Sequence, residues 1–432
     1  MEWYTLAILI VILLLAMLSI GLPVAFTMLL LGITGITVHM GFPIAVNFFR
    51  QTIYSASASQ SLATVFLFVL MGQVLLVSKI GTDLYEAVYK WGRKLPGCLA
   101  VGSVASCAIF GAMCGSATAT TATIGTIAVP TMLKYKYSRR LATGVVAAAG
   151  ALGPVIPPSI YMIVYGVAAE ESIGKLFIAA IIPGVILAAL MIIEVIVMVK
   201  INPKLAPPSP PISMKEKIES TKGLIIPVLL VLLVLGTIYA GVCTPTEAAG
   251  VGAFGSIAFA LGTKRLNVRQ IIESLGITLN FSCMVMLLII GGALLSKLFT
   301  VTMIPQNLAT FAVSLPVSRW TIMVVIQLVI FAGGFVLEGC ALIAMLTPVF
   351  ITVVKALGFD PLVFGVAMMM NLATAVITPP FAVNLYVMRG IVPDVPFEEI
   401  AKGALWFLIV EVIMLGVVLA VPPLSTWLPS MM

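Results

Sequence analysis

The sequence predicts an all-α polytopic membrane protein with about ten transmembrane spans and two re-entrant helical hairpins, built as an inverted repeat. Three observations lead there. Of 432 residues 61% are hydrophobic and 9% charged, with a mean hydropathy of +1.21, where a soluble domain carries roughly 25% charged residues. Apolar runs of about 20 residues, the length that crosses a bilayer, recur along the chain. Two longer apolar segments, 96–133 and 320–356, are interrupted near their middles by small polar residues.

The opening stretch MEWYTLAILIVILLLAMLSIGLPVAF has an acid where a cleaved signal carries bases, and it runs on into a second apolar stretch. It reads as a first span. Spans are expected near 3–20, 23–40, 61–79, 141–168, 175–199, 223–241, 245–262, 275–298, 361–388 and 403–421. Length leaves each of 96–133 and 320–356 as two spans or one hairpin, because both return the chain to the side it came from. Charge then places their ends. Lys90, Arg93 and Lys94 precede the first segment and Lys134, Lys136, Arg139 and Arg140 follow it, so both ends belong in the cytoplasm. Alternating from there puts the basic stretches 200–222, 263–270 and 389–402 inside, and puts Glu170, Glu171, both termini and both ends of 320–356 outside, in the periplasm. The two hairpins therefore open in opposite directions.

The Pro-rich, charged stretch NPKLAPPSPPISMKEKIES separates two halves. The expected organisation is a scaffold of spans over 1–60, then a first repeat over 61–174 with hairpin 96–133 and broken helix 141–168. Scaffold spans follow over 175–298 with a cytoplasmic linker at 200–222. A second repeat covers 299–402 with hairpin 320–356 and broken helix 361–388, and a C-terminal span covers 403–432. The halves echo each other in spacing. Gly111 lies 46 residues before Pro157 of IPPS, and Gly333 lies 46 before Pro379 of TPPF. Each hairpin is followed by Gly-Val, at Gly144 and Gly365, with Pro-Pro 13 or 14 positions after that glycine. Inverted repeats with discontinuous helices mark secondary transporters, whose site lies near the midplane between the repeats.

Such a site explains the run GAMCGSATATTATIGT at 111–126, which neither packs like leucine nor suits lipid. Irregular backbone at membrane depth is tolerated where protein buries it or where it lines a wet cavity. Proline breaks the helix at Pro154, Pro157 and Pro158 and again at Pro379 and Pro380. The freed carbonyls, with the hydroxyls of Ser116, Thr118 and Thr120, offer hard oxygen ligands for a cation such as sodium. Half-helix N-termini offer partial positive charge to an anionic substrate. Small residues also serve plain helix packing, but their pairing with a broken helix, and the recurrence of that pairing in the other half, favour a site. Glu338 falls at the tip of the second hairpin, as a cation-site acid or as the cap of the half-helix that begins there. Asn371, Thr374 and Thr378 beside the second Pro-Pro are the counterpart oxygen donors. Glu194 and Glu411, near span ends, are expected to face other helices or to snorkel, and the methionines of AMMMN at 367–371 to serve as adaptable packing. Six cysteines without CxxC spacing read as small buried hydrophobes, and a single histidine, His39, excludes a multi-histidine metal or haem site.

The motifs FGAMCGSATATTATIGTIAVPTM, GALGPVIPPSIYMIVYG, CTPTEAAGVGAFGS, GGFVLEGCALIAMLTPVF and MMMNLATAVITPPFAVNLYV closely resemble the large membrane subunit of TRAP transporters, the DctM-like family, over essentially the whole chain. The resemblance implies a sodium-coupled, elevator-type importer of organic acids that pairs with a separate small membrane subunit and receives substrate from a periplasmic binding protein. It implies residence in a bacterial or archaeal inner membrane, sodium as coupling ion, and no cofactor. Carried over residue by residue, it places sodium at Gly115, Ser116, Ala149, Gly150 and Gly153 and at Glu338, Gly339, Asn371, Thr374 and Thr378. It places substrate near Ser116, Thr118, Pro157, Pro158, Pro379 and Pro380. Cys114 and Ala149 stand where many relatives carry serine, which leaves more of the first sodium site to backbone carbonyls, and Glu338 stands where Asp is also common. A related carrier that works without a binding protein is the nearest rival. An intramembrane hydrolase built on Ser116 lacks a base, since His39 belongs at the outer end of the second span. An ion channel fits a single asymmetric chain with inverted repeats less well than alternating access does.

Overall fold

The computed structural model describes residues 2–208 and 212–431, so 209–211 of the expected linker lie outside the described residues. Among the described residues every regular element is a helix. Large apolar side chains that a soluble protein would bury stand on the outside here, among them Ile8, Val11, Ile12, Leu232, Phe254, Ile272 and Leu328. Such a surface suits a hydrocarbon solvent.

Among the described residues six helices are long and apolar enough to cross a membrane: Gln60–Val77, Ile173–Ile201, Met214–Tyr239, Val268–Val301, Gly339–Ala356 and Phe397–Ala420. The other expected spans form shorter apolar helices, such as Trp3–Ser19 and Val24–Met40, or are broken. Their ends follow local chemistry. Thr244 with Glu247, and Asn267 with Gln270, close capping boxes ahead of Pro245–Gly262 and Val268–Val301. Asp360 caps Pro361–Ala375, whose proline occupies the first helical position.

The segments 96–133 and 320–356 each form an antiparallel helix pair, Cys98–Cys114 with Ala117–Lys134, and Arg319–Gly333 with Gly339–Ala356. Both feet of the first hairpin meet, where the Leu99 N–H donates to Tyr137 Oη at 3.4 Å. Both feet of the second meet where the Trp320 and Phe359 rings lie 5.0 Å apart. The feet sit at opposite ends of the molecule. At the first end the basic segments gather: Arg265 pairs with Asp83, Trp91 Nε1 donates to Thr221 Oγ1 at 3.0 Å, Ser138 N donates to Leu205 O at 2.9 Å, and Arg140 Nη2 donates to Lys402 O at 3.1 Å. At the other end Lys355 approaches Glu171 at 3.7 Å and Tyr165 Oη donates to Pro361 O at 2.6 Å. Segments grouped by charge in the sequence are thus grouped in space.

The broken helices run as Arg139–Gly150 then Ile160–Ala169, and Pro361–Ala375 then Val383–Ile391. The Pro157-Pro158 and Pro379-Pro380 bonds within the two breaks are both cis. Repetition extends upstream of the hairpins into elements the hydropathy reading passes over. Lys79 and Met303, both in the left-handed conformation with φ 57°, introduce the amphipathic helices Ile80–Trp91 and Ile304–Ser314. Phe42–Ser57 and Phe397–Ala404 are two more amphipathic helices. Taken alone, each of the four is too short or too polar for a span-length ruler, although Phe397–Ala404 leads directly into Leu408–Ala420 to complete the span Phe397–Ala420, and their 3.6-residue periodicity is what announces them. Met368, Met369 and Met370 are buried, as expected of packing residues. The cysteines depart in part from expectation: four are buried, Cys243 is half-buried and Cys283 is exposed on the outward side of Val268–Val301.

Candidate functional site

The two repeats match in numbering as well as in the order of their elements. Adding 222 to Gly111, Ser116, Pro157 and Pro158 gives Gly333, Glu338, Pro379 and Pro380. Ser116 and Glu338 are thus equivalent, and each is the N-cap of the second arm of its hairpin.

At the first tip Gly115 takes φ +63° and ends the first arm, its N–H donating to Gly111 O at 2.8 Å. Glycine fits because that backbone conformation is the left-handed one and because a methyl there would lie 2.7 Å from Pro158 O. Ser116 Oγ accepts weakly from Ala119 N at 3.4 Å and lies 3.2 Å from Thr118 Oγ1. Thr120 departs from its expected place in an open oxygen cage. Its hydroxyl is turned inward, donating to Ser116 O at 2.7 Å with Cys114 Sγ at 3.1 Å. Buried hydroxyls without a partner here are instead those of Thr121, seated against Gly150, and Ser159, inside the break. Gly153 packs so closely that a methyl on it would lie 2.6 Å from Ser116 O. Ala149 is buried one turn before it.

At the second tip Glu338 Oε2 accepts from Cys340 N at 2.9 Å, closing the helix end, and Oε1 accepts from the hydroxyl of Tyr161 at 3.1 Å. The carboxylate is exposed to the cavity described below. Tyr161 belongs to the broken helix of the other repeat, and its ring also rests against Gly339. Asn371 is 1% exposed; its Nδ2 donates to both Gln327 O and Gln327 Oε1 at 2.7 Å, and its Oδ1 has no partner. Thr374 and Thr378 donate to the carbonyls one turn back, at 2.8 and 2.7 Å, which leaves their lone pairs available.

A second link between repeats comes from Asn384. Ala151 N–H turns to Ala148 O at 2.9 Å where the first broken helix tightens, and Asn384 Nδ2 donates to Ala147 O at 2.9 Å. Asn384 is fully buried and its Oδ1 is unpartnered. Replacing Asn384 with Leu is expected to lower thermal stability in detergent by about 1 kcal/mol, in line with polar contacts between membrane helices, and to reduce uptake by more than that loss explains, because the two breaks lose their tie. Sequence reasoning missed Tyr161, Thr121 and Asn384. The signal available was a polar side chain within one turn of a Pro-Pro break or hairpin tip.

Between the tips lies a cavity of about 130 Å³ lined by Gly115, Ser116, Thr118, Tyr161, Glu338 and Gly339, with Phe281 and Met284 of Val268–Val301 closing one side. A second hollow of about 330 Å³ shares Ser116, Thr118, Ile160 and Phe281 and continues to Gln73, Leu76 and Val387. Pro157, Pro158, Pro379 and Pro380 do not line the cavity. The residues around the breaks that do are Ile160, Tyr161, Ala382 and Val383, which follow the prolines, and Ala375 and Val376, which precede the second pair. The prolines lie within the breaks, between the end of one half-helix at Gly150 or Ala375 and the start of the next at Ile160 or Val383. Ala117, Ile160, Gly339 and Val383, the first residues of four half-helices, all reach this one space.

This architecture is shared with known transporters. The family model for the DctM component of the tripartite ATP-independent periplasmic transporters matches residues 11–424. The chain belongs to the DctM family. It is 32% identical over 402 residues to the C4-dicarboxylate TRAP transporter large permease protein DctM of Pseudomonas aeruginosa, covering 93% of each chain. It is 29% identical to the sialic acid TRAP transporter large permease protein SiaM of Vibrio cholerae, covering 96% of this chain and 97% of that one. An isethionate TRAP permease protein named DctMQ, from Oleidesulfovibrio alaskensis, is 30% identical over 417 residues, which is 64% of that longer protein. Among solved structures the YdaH transporter of Alcanivorax borkumensis shares the fold at a TM-score of 0.65 and 15% identity, over 90% of both chains. The DctM assignment makes the chain a transporter component rather than an enzyme.

Proposed function

We propose that this DctM component carries a small organic-acid anion into the cell together with sodium, by an elevator movement of the hairpins and broken helices against the remaining helices. A separate small membrane subunit and a periplasmic binding protein complete the system. One observation carries the reading: four half-helix N-termini meet in a cavity that no Lys or Arg lines. Each N-terminus contributes roughly half a positive charge, so the cavity suits an anion without a fixed cation. Relatives named for C4-dicarboxylates, sialic acid, isethionate and 2,3-diketo-L-gulonate all handle acid anions.

Glu338 supports the cation. An incoming anion beside a carboxylate is repelled unless a positive ion offsets it, and the unpartnered Asn371 Oδ1 with the lone pairs of Thr374 and Thr378 offers neutral oxygen ligands nearby in the same repeat. On the first side the partnerless Thr121 and Ser159 hydroxyls join the backbone carbonyls around Ala149, Gly150 and Gly153. Neutral oxygens do not titrate near pH 7, which favours sodium over a proton. Proteoliposomes holding this chain, its small subunit and the binding protein are expected to concentrate substrate under an imposed sodium gradient and not under a pH gradient alone. Full uptake driven by the pH gradient overturns sodium coupling. Robust uptake of free substrate by this chain alone overturns the partner requirement and supports a carrier independent of a binding protein.

A further inference from the structure

From the transport cavity two hollows lead toward the basic end of the molecule. The hollow that shares Ser116 and Thr118 with the cavity continues between Gln60–Val77 and Val268–Val301, where Gln73, Leu76 and Ile277 line it. A further hollow of about 560 Å³ follows, lined by Val77, Lys79, Lys264, Arg265, Asn267 and Gln270 among others. The two abut. Leu76 lines one and its chain neighbour Val77 the other, and on the long helix Gln270 stands two turns before Ile277 on the same face, about 10 Å away.

Charge changes along this path. Among the described residues no Lys or Arg lines the cavity or the hollow that adjoins it. The last hollow sets Lys79, Lys264 and Arg265 against one acid, Asp83, which Arg265 already pairs, so two positive charges are left over. None of the ion pairs among the described residues includes Lys79 or Lys264. Sidedness accounts for the sign of these residues but not for their place in a hollow that meets the substrate path. Both take the left-handed conformation, with φ 57° and 55°, at turns between helices, and the corner that matches Lys79 in the second repeat is made with Met303. Turning the chain there does not call for a lysine. A cleft walled by low-dielectric protein focuses the field of its charges and raises the local concentration of the opposite ion. We propose that this hollow is an anion vestibule, in which Lys79 and Lys264 receive the organic acid that leaves the cavity by the groove past Gln73. That role presupposes anion transport and adds the path of exit and its charge.

Charge-selective labelling of the full chain tests this in inside-out membrane vesicles, which expose the basic end. Gln73→Cys is introduced together with Cys114→Ser, Cys243→Ser and Cys283→Ser, and its reaction with the anionic sulfonatoethyl methanethiosulfonate is compared with that of the cationic trimethylammonioethyl reagent. The anionic reagent is expected to react faster. At low ionic strength the ratio of the two rates should fall by about tenfold in the Lys79→Gln, Lys264→Gln double variant, and the parent's preference should fade as salt rises toward about 1 M, where the screening length is about 3 Å. Leu76→Cys, in the same hollow, takes the place of Gln73→Cys if that chain does not fold. A thiol that neither reagent reaches from this side overturns the route, and a rate ratio that the double variant leaves unchanged overturns the vestibule. Because the labelling needs no sodium gradient, either failure leaves sodium-driven uptake standing, and a failure of sodium-driven uptake leaves the labelled route standing.

Discussion

Replacing Gly153 with Ala is expected to abolish uptake while the chain still inserts and purifies. The new methyl would lie 2.6 Å from Ser116 O, 2.8 Å from Ser116 C and 3.0 Å from Thr120 Oγ1, so it meets backbone of the hairpin tip rather than a side chain that can swing away. Relief requires the tip to retreat from the break. Overpacking of this kind costs about 1–3 kcal/mol of stability, but the functional loss is larger, since misplacing a site by about 1 Å can cost on the order of 100-fold. The equivalent position in the second repeat is Ala375, where the close partner is Gly334 of the hairpin: a methyl built on that glycine would lie 2.6 Å from Ala375 Cβ. In the first repeat the break and the hairpin both carry glycine here, a methyl on Gly111 lying 2.8 Å from Gly153 Cα, whereas in the second only the hairpin does. Ala375→Gly, which only removes a methyl, serves as the control and should cost less than Gly153→Ala. Uptake by Gly153→Ala within about twofold of the parent would show that the tip does not need this approach.

Glu338→Gln is the second large effect, expected to cut uptake at fixed sodium and to raise the sodium concentration for half-maximal uptake by about tenfold, the equivalent of about 1.4 kcal/mol. Geometry separates charge from shape. The carboxylate accepts from Cys340 N and from Tyr161 Oη. An isosteric amide keeps one acceptor for the helix end, and the Tyr161 hydroxyl can rotate to accept from its NH2, so the cap survives at a cost of about 1 kcal/mol or less. What the amide cannot supply is the negative charge that offsets a cation beside an anionic substrate. Tyr161→Phe keeps that charge and removes only one hydrogen bond between the repeats, so it should shift the sodium titration far less. A Glu338→Gln protein that follows the parent across the whole titration would reduce Glu338 to a helix cap.

Hairpins, breaks and their opposed orientation were legible in the sequence because their causes are local. Proline removes a donor and ends a helix wherever it stands, Gly115 frees the backbone at its own position, and Lys and Arg sort their loops to one side through their own charge. The equivalence of Ser116 with Glu338 lies in the numbering too, once the halves are aligned. Amphipathic helices such as Ile80–Trp91 were written in the periodicity but fell below the length that hydropathy weighs. Only the tertiary structure decided the rest. Tyr161 meets Glu338 across 177 residues and Asn384 reaches Ala147 across 237. It turned Thr120 inward, left Thr121 unpartnered, and drew the cavity wall from residues flanking the prolines rather than from the prolines themselves. Those pairings depend on how two half-chains of opposite direction interlock, and a helix fixes the spacing of its own side chains but not the partner that each will find on another helix.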